Sequence, residues 1–117
     1  MRTLIPGLDA LEEREGTGRA AQIGDTVVFD VRIHLNRGDE VPSGKSEQRT
    51  KLGTRRVIAG IERALIGMRA GGYMKIRVSP HLAYGKAGVE GVVPGEAVLN
   101  ISLWLRKIQE PSSYKSG

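Results

Sequence analysis

The chain has 117 residues, 39% hydrophobic and 26% charged, which is typical of one globular domain and excludes a disordered chain. It has no cysteine, which excludes disulfides and thiol chemistry, and no apolar run approaches the ~20 residues of a membrane-spanning helix. Its net charge of +5 fits either an acidic partner such as nucleic acid or an arginine-rich surface. The N-terminal segment turns acidic by Glu12, unlike a signal peptide, so we expect a cytoplasmic protein.

The first half of the chain predicts strands. Residues 8–14 predict a short strand, and the polar, glycine-rich residues 15–25 predict a connection. Residues 25–35 alternate between apolar and polar side chains and predict a half-buried strand. Asn36-Arg37-Gly38 predicts a hairpin turn, and residues 48–52 predict a further short strand. The side chains expected to face inward are Val27, Phe29, Val31, Ile33 and Leu35.

The second half predicts one helix and two strands. Residues 57–68 carry apolar side chains at helical spacing, with Thr54 as the expected N-cap and residues 69–72 as the stop signal. Residues 72–79 and 97–108 alternate and predict strands. The loop between them, residues 80–95, is expected to begin with one helical turn. The side chains expected to face inward are Met74, Ile76, Val78, Leu99, Ile101, Leu103 and Leu105.

These elements predict an α+β fold in which a single antiparallel sheet of about five strands half-wraps one short helix. We expect one domain over residues 1–108 and a disordered polar tail over residues 109–117. The loop over residues 36–48 is too short to hold an inserted domain.

Several local motifs follow one another in a distinctive order along the chain. They are Leu52-Gly53, Val57-Ile58, Gly60, Gly67-Met68, Gly71, Ser79-Pro80, Ala83-Tyr84-Gly85, Gly88, Gly91 and Val93-Pro94. With these motifs the chain resembles the FKBP-type peptidyl-prolyl cis-trans isomerases, over roughly residues 8–108. The resemblance implies a pocket between the helix N-terminus and the sheet that takes the proline ring of a substrate. It also implies that the glycine-rich residues after Tyr84 form a flap over this pocket.

The resemblance also implies the residues of the site. The backbone N–H of Ile58 and the hydroxyl of Tyr84 would hold the peptide, and these are the expected catalytic residues. The residues implied to bind substrate are Val31, Val41, Val57, Ile58, Ile61, Tyr84, Val93 and Ile101. No cofactor is expected, and no metal site, because neither His34 nor His81 has a partner at metal-ligand spacing.

The implied pocket departs from the family at its aromatic residues. The replacements are Val31 for tyrosine, Val41 and Ile101 for phenylalanine, Gln48 near another phenylalanine, Ile61 for tryptophan and Pro42 for a carboxylate. Aliphatic walls make fewer contacts with a proline ring, so we expect weak isomerase activity and poor binding of the family's macrolide ligands. Two outcomes stay open: a wider pocket that still accepts proline, or side chains that collapse into ordinary core.

Three functions are therefore predicted, in order of preference. The first is a weak isomerase of Xaa–Pro bonds in proline-containing peptides or protein segments. The second is a non-catalytic peptide- or protein-binding module, and the third is a nucleic-acid-binding module that uses Arg49, Lys51, Arg55 and Arg56. The third ranks last because few aromatic residues are available for base stacking. Trp104 falls on the outer face, either as a partner contact or beneath the N-terminal segment.

Overall fold

The computed structural model describes residues 1–42 and 47–111 of the chain. A single turn of 3₁₀ helix covers Pro80–Leu82. The other elements, in chain order, are β1 (Arg2–Ile5), β2 (Leu8–Arg14), β3 (Thr17–Ala20), β4 (Thr26–Leu35), β5 (Glu40–Val41), β6 (Glu47–Lys51), α1 (Ala59–Leu65), β7 (Arg69–Ala70), β8 (Tyr73–Val78) and β9 (Leu99–Gln109).

The main sheet has seven antiparallel strands in the order β1-β2-β8-β9-β4-β5, with β6 also paired to β4. The two short strands share β4: its first half pairs with β6 through Thr26–Asp30, and Ile33 and His34 pair with β5. The chain therefore runs twice along one edge of β4. The helix α1 follows β6, which brings its N-terminus close to the inner face of β4.

The alternation read from the sequence is confirmed. Phe29 on β4, Ile76 on β8 and Ile101 on β9 are fully buried, and their neighbours two residues away on the same face are also buried. The helix closes this core with Ile61, Ala64 and Leu65. Gly60 permits the close approach, because a Cβ there would lie 2.5 Å from Cγ1 of Val78.

The expected strand count was too low, since about five strands were predicted and the main sheet has seven. Strand β1 was missed because it is short and mostly exposed at the sheet edge. The residues 17–20 were predicted as a connection, but they pair with Arg69–Ala70 in a separate two-stranded sheet. Neither segment alternates, so pairing alone makes each a strand: β1 pairs with β2, which directly follows it, and residues 17–20 pair with a distant segment.

The helix is shorter than predicted at both ends. Ile58 is its N-cap and is extended, with φ −60° and ψ 151°. At the other end Gly67, with φ +97°, stops the helix before the predicted stop signal. Thr54 is not the cap, because its hydroxyl donates to the carbonyl of Lys51 at 2.7 Å and closes the preceding turn. The predicted tail lies largely outside the described residues, and strand β9 extends to Gln109.

One buried carboxylate anchors the start of β4. Asp25 is fully buried and accepts two hydrogen bonds from the Arg19 guanidinium, at 2.8 and 2.9 Å, and one from the Gln22 N–H at 2.8 Å. The hydrogen bonds from Arg19 hold the pKa of Asp25 below its usual value, although burial alone would raise it. Asp25 therefore stays ionised in the folded protein.

Candidate functional site

A cleft of about 660 Å³ lies between the start of α1, the inner face of β4 and the loop that follows β8. Its floor is aliphatic and at least nine-tenths buried. The floor is formed by Val31, Ile33, Val41, Ile61 and Val93. The cleft opens to solvent above these side chains, so they form both the outer layer of the core and the base of a depression.

The predicted site residues meet in this cleft with one exception. Val57, Ile58 and Tyr84 are partly buried and form its sides above the floor. Ile101 does not reach the lining, because it is fully buried on β9 directly opposite Ile33. Ile33 lines the cleft but was not predicted as a site residue, although it lies two residues after Val31 on the same strand face.

Two residues that line the cleft each carry a hydrogen-bond donor without a partner among the described residues. One is the N–H of Ile58, which precedes the first residue of α1 and is outside the helical hydrogen-bond pattern. The other is the hydroxyl of Tyr84, just beyond the 3₁₀ turn. The backbone of Tyr84 is held in place, because its carbonyl accepts a hydrogen bond from the Gly88 N–H at 3.1 Å.

A tight loop over residues 88–95 covers one side of the cleft. Val89 and Val93 bond to each other through both backbone N–H groups, each at 2.8 Å. Gly88 is required beneath this bridge, because a Cβ there would fall on the carbonyl oxygen of Val93. The side chains of Val89 and Val92 remain 36% and 42% exposed, so the loop presents apolar groups over the cleft.

The loop that enters α1 is fixed by a carboxylate of the helix. Glu62 accepts hydrogen bonds from the backbone N–H of Gly53 at 2.7 Å and of Arg55 at 3.4 Å. This loop carries Arg55 and Arg56 to the edge of the cleft, where both line it and are exposed. Both residues were predicted as part of a basic cluster and not as part of the site.

The basic cluster does not form one surface. Arg49 and Lys51 pair with Val28 and Thr26 and point to the outer face of the sheet. Arg55 and Arg56 lie at the cleft instead. This separation removes the arrangement that nucleic-acid binding by the whole cluster requires.

Trp104 lies on the outer face, as predicted, and is partly buried. Its ring packs on that of Tyr73, with centroids 5.3 Å apart, and the Arg14 guanidinium lies 5.5 Å from the Tyr73 centroid. Neighbouring strands therefore account for the position of the tryptophan.

The described residues show neither a metal site nor a membrane-spanning helix. Over residues 1–42 and 47–111, no group of three or more histidine or acidic side chains is placed to hold a metal ion. No helix in this part of the chain has the length and apolarity to cross a membrane. A smaller depression of about 310 Å³ lies at the far end of α1, but its Arg2 is already paired with Glu13.

Comparison with known proteins gives a consistent result. A model of the FKBP-type peptidyl-prolyl cis-trans isomerase family matches residues 17–105. FK506-binding protein 1A of Neurospora crassa is 32% identical over 102 residues, covering 81% of this chain and 85% of that protein. FK506-binding protein 4 of Emericella nidulans is 35% identical over 90% of this chain. Peptidyl-prolyl cis-trans isomerase FKBP10 of Mus musculus is 34% identical over 86% of this chain. The chain spans only 22% and 18% of the lengths of the last two.

Proposed function

The chain belongs to the FKBP-type peptidyl-prolyl cis-trans isomerase family, and on that premise we propose that its cleft binds Xaa–Pro segments and weakly catalyses their isomerisation. The observation that carries the proposal is an open aliphatic cleft with two unengaged donors, the Ile58 N–H and the Tyr84 hydroxyl, at its sides. The cytoplasmic location stays a prediction from the sequence.

The chemistry explains why such a simple site suffices. Rotation about a peptide bond crosses a barrier of ~18–20 kcal/mol, at which the amide is twisted and has lost its resonance. A catalyst needs no acid, base or nucleophile for this step, but it must bind the twisted amide better than either planar form. A hundredfold acceleration requires about 2.7 kcal/mol of such preference.

The cleft offers groups for both parts of that task. The proline ring packs on the floor around Ile61 and Val93, in surroundings that favour a less dipolar, twisted amide. The Ile58 N–H donates to a carbonyl of the bound peptide, and the Tyr84 hydroxyl donates from the opposite side. The activity is weak because aliphatic side chains contact a ring over less area than aromatic ones do.

The test is NMR exchange between the cis and trans signals of an Ala-Leu-Pro-Phe peptide, with and without the protein. We expect exchange above the uncatalysed rate. Ile61→Val removes one methylene from the floor, worth about 0.8 kcal/mol, and should lower kcat/KM about fourfold. Ile76→Val is the matched control, because Ile76 is fully buried and does not line the cleft. An absence of exchange, or equal loss in both variants, would contradict the proposal.

A second function is favoured by the lack of aromatic side chains on the floor. A peptide-binding module without catalysis would bind the same peptide but would not prefer the twisted amide. It predicts saturable shifts of the Ile58 and Tyr84 amide signals with no added exchange. The same titration therefore separates the two functions.

A further inference from the structure

The charges around the cleft are of one sign. Arg55 and Arg56 line it, and no aspartate or glutamate does so among the described residues. Neither arginine forms an ion pair with the described residues. The cleft therefore joins an apolar floor to two exposed arginines whose guanidinium groups have no carboxylate partner within residues 1–42 and 47–111.

The excess of positive charge continues along the helix side. A neighbouring depression of about 430 Å³ shares Arg55 and Val57 with the cleft and adds Arg63 and Glu62. One oxygen of Glu62 is engaged by the backbone N–H groups of Gly53 and Arg55. On the flap side the balance differs, because Arg37 there is paired with Asp39 and Glu90 is also present. An acidic ligand would be attracted mainly beside the start of α1.

The backbone conformation of Arg55 indicates that the cleft arginines are positioned before any ligand binds. Arg55 has φ +60°, a left-handed conformation that is strained for a non-glycine residue. Glycine or asparagine would occupy this position with less strain, yet the chain has an arginine there. Glu62 fixes the loop, so the direction in which Arg55 and Arg56 leave the backbone is set before any ligand binds.

We infer that the cleft selects proline-containing segments with acidic residues next to the proline, whose carboxylates pair with Arg55 and Arg56. This inference rests on the proposed function, because it takes the cleft as the peptide site. Exposed ion pairs each change an affinity about two- to fivefold, so two pairs should give a preference of about tenfold over a neutral peptide.

The experiment titrates the protein with three peptides, Ac-Ala-Xaa-Pro-Xaa-Ala-NH₂, where Xaa is Glu, Gln or Lys. Dissociation constants come from amide shifts, and cis-trans exchange rates come from the same samples. We expect the Glu peptide to bind about tenfold more tightly than the Gln peptide, and the Lys peptide to bind least. The preference should shrink in 1 M salt, where the screening length falls to about 3 Å.

Two variants separate the cleft arginines from the overall charge. Arg55→Gln with Arg56→Gln should abolish the preference for Glu. The control, Lys75→Gln with Lys107→Gln, removes the same charge from the outer face of the sheet and should leave the preference unchanged. Equal losses in the two variants would mean that the net charge alone attracts the peptide and would overturn the inference.

The remaining outcomes are also decisive. Equal binding of the Glu and Gln peptides overturns the inference, and exchange on both would leave the proposed isomerase intact. A clear preference for Glu without exchange on any peptide supports the inference and overturns catalysis. A competition experiment uses a labelled Glu peptide bound at the cleft and two competitors, a ten-nucleotide oligothymidine and the unlabelled Glu peptide. If the oligothymidine displaces the labelled peptide at the lower concentration, the arginines bind nucleic acid and the inference is overturned.

Discussion

Replacing Tyr84 by phenylalanine tests whether the Tyr84 hydroxyl binds the peptide at the side of the cleft. The change removes one oxygen and leaves the ring at the side of the cleft. In the folded protein the hydroxyl forms no hydrogen bond with the described residues, so its removal breaks no contact that stabilises the fold. The free energy of unfolding should therefore change by less than about 0.5 kcal/mol.

The effect on function follows from the value of one hydrogen bond. A typical hydrogen bond contributes about 0.5–1.5 kcal/mol, so its loss from the bound, twisted peptide should lower kcat/KM by about two- to twelvefold. If the hydroxyl holds the planar and twisted forms equally, the loss appears in KM. If it binds only the twisted form, the loss appears in kcat.

The assay is cis-trans exchange measured on one peptide for the wild-type protein and two variants. Tyr73→Phe is the control, because Tyr73 lies on the outer face against Trp104 and does not line the cleft. Unfolding in urea, followed by the fluorescence of Trp104, measures stability in parallel. An unchanged kcat/KM for Tyr84→Phe would refute the hydrogen-bonding role, and an equal fall in both variants would place the effect outside the cleft.

Three further predictions concern stability, each measured by urea unfolding. Arg19 lowers the pKa of Asp25, so the Asp25 carboxylate stabilises the fold at pH values above its unfolded pKa of about 3.9. This stabilisation should be lost as the pH falls through the lower pKa of the folded state. Asp25→Asn should reduce the fall in the free energy of unfolding at acid pH, and an unchanged fall would contradict this role of Asp25. The Thr50 hydroxyl is buried without a partner among the described residues, so Thr50→Val should stabilise the protein by about 1 kcal/mol, whereas a loss of stability would reveal a bond that the structure does not show. Gly60→Ala should destabilise it by about 1–3 kcal/mol, because the new methyl overlaps Val78, and a neutral result would mean that the helix can shift away.

The central sheet could be predicted from the sequence because its strands are long and alternate cleanly. In β4, and in β9 as far as Leu105, residues face inward and outward with a period of two, and the pattern indicates which side chains form the core beneath the helix. Strands β1, β3 and β7 carry no such pattern. Strand β1 forms because it pairs with β2, which directly follows it, and β3 and β7 form because they pair with each other across about 50 residues of chain.

The site was predicted less completely, for a related reason. Val57 and Ile58 fit the helical spacing, but both precede the helix and line the cleft, and Ile58 is extended, so the helix starts later than its apolar pattern. Arg55 and Arg56 were visible as charges. Their separation from Arg49 depends on the path of the loop, which Glu62 sets from seven or more residues away.

The most direct test of the proposed function is to locate the ring of a bound proline on the protein. The measurement is a set of isotope-filtered NOEs between an unlabelled Glu-Pro peptide and protein labelled on its valine and isoleucine methyl groups. The account predicts NOEs from the proline ring protons to the methyls of Val31, Ile61 and Val93, and none to those of Ile76. NOEs to the methyls of Val28 on the outer face of the sheet, with none to the cleft methyls, would contradict this placement.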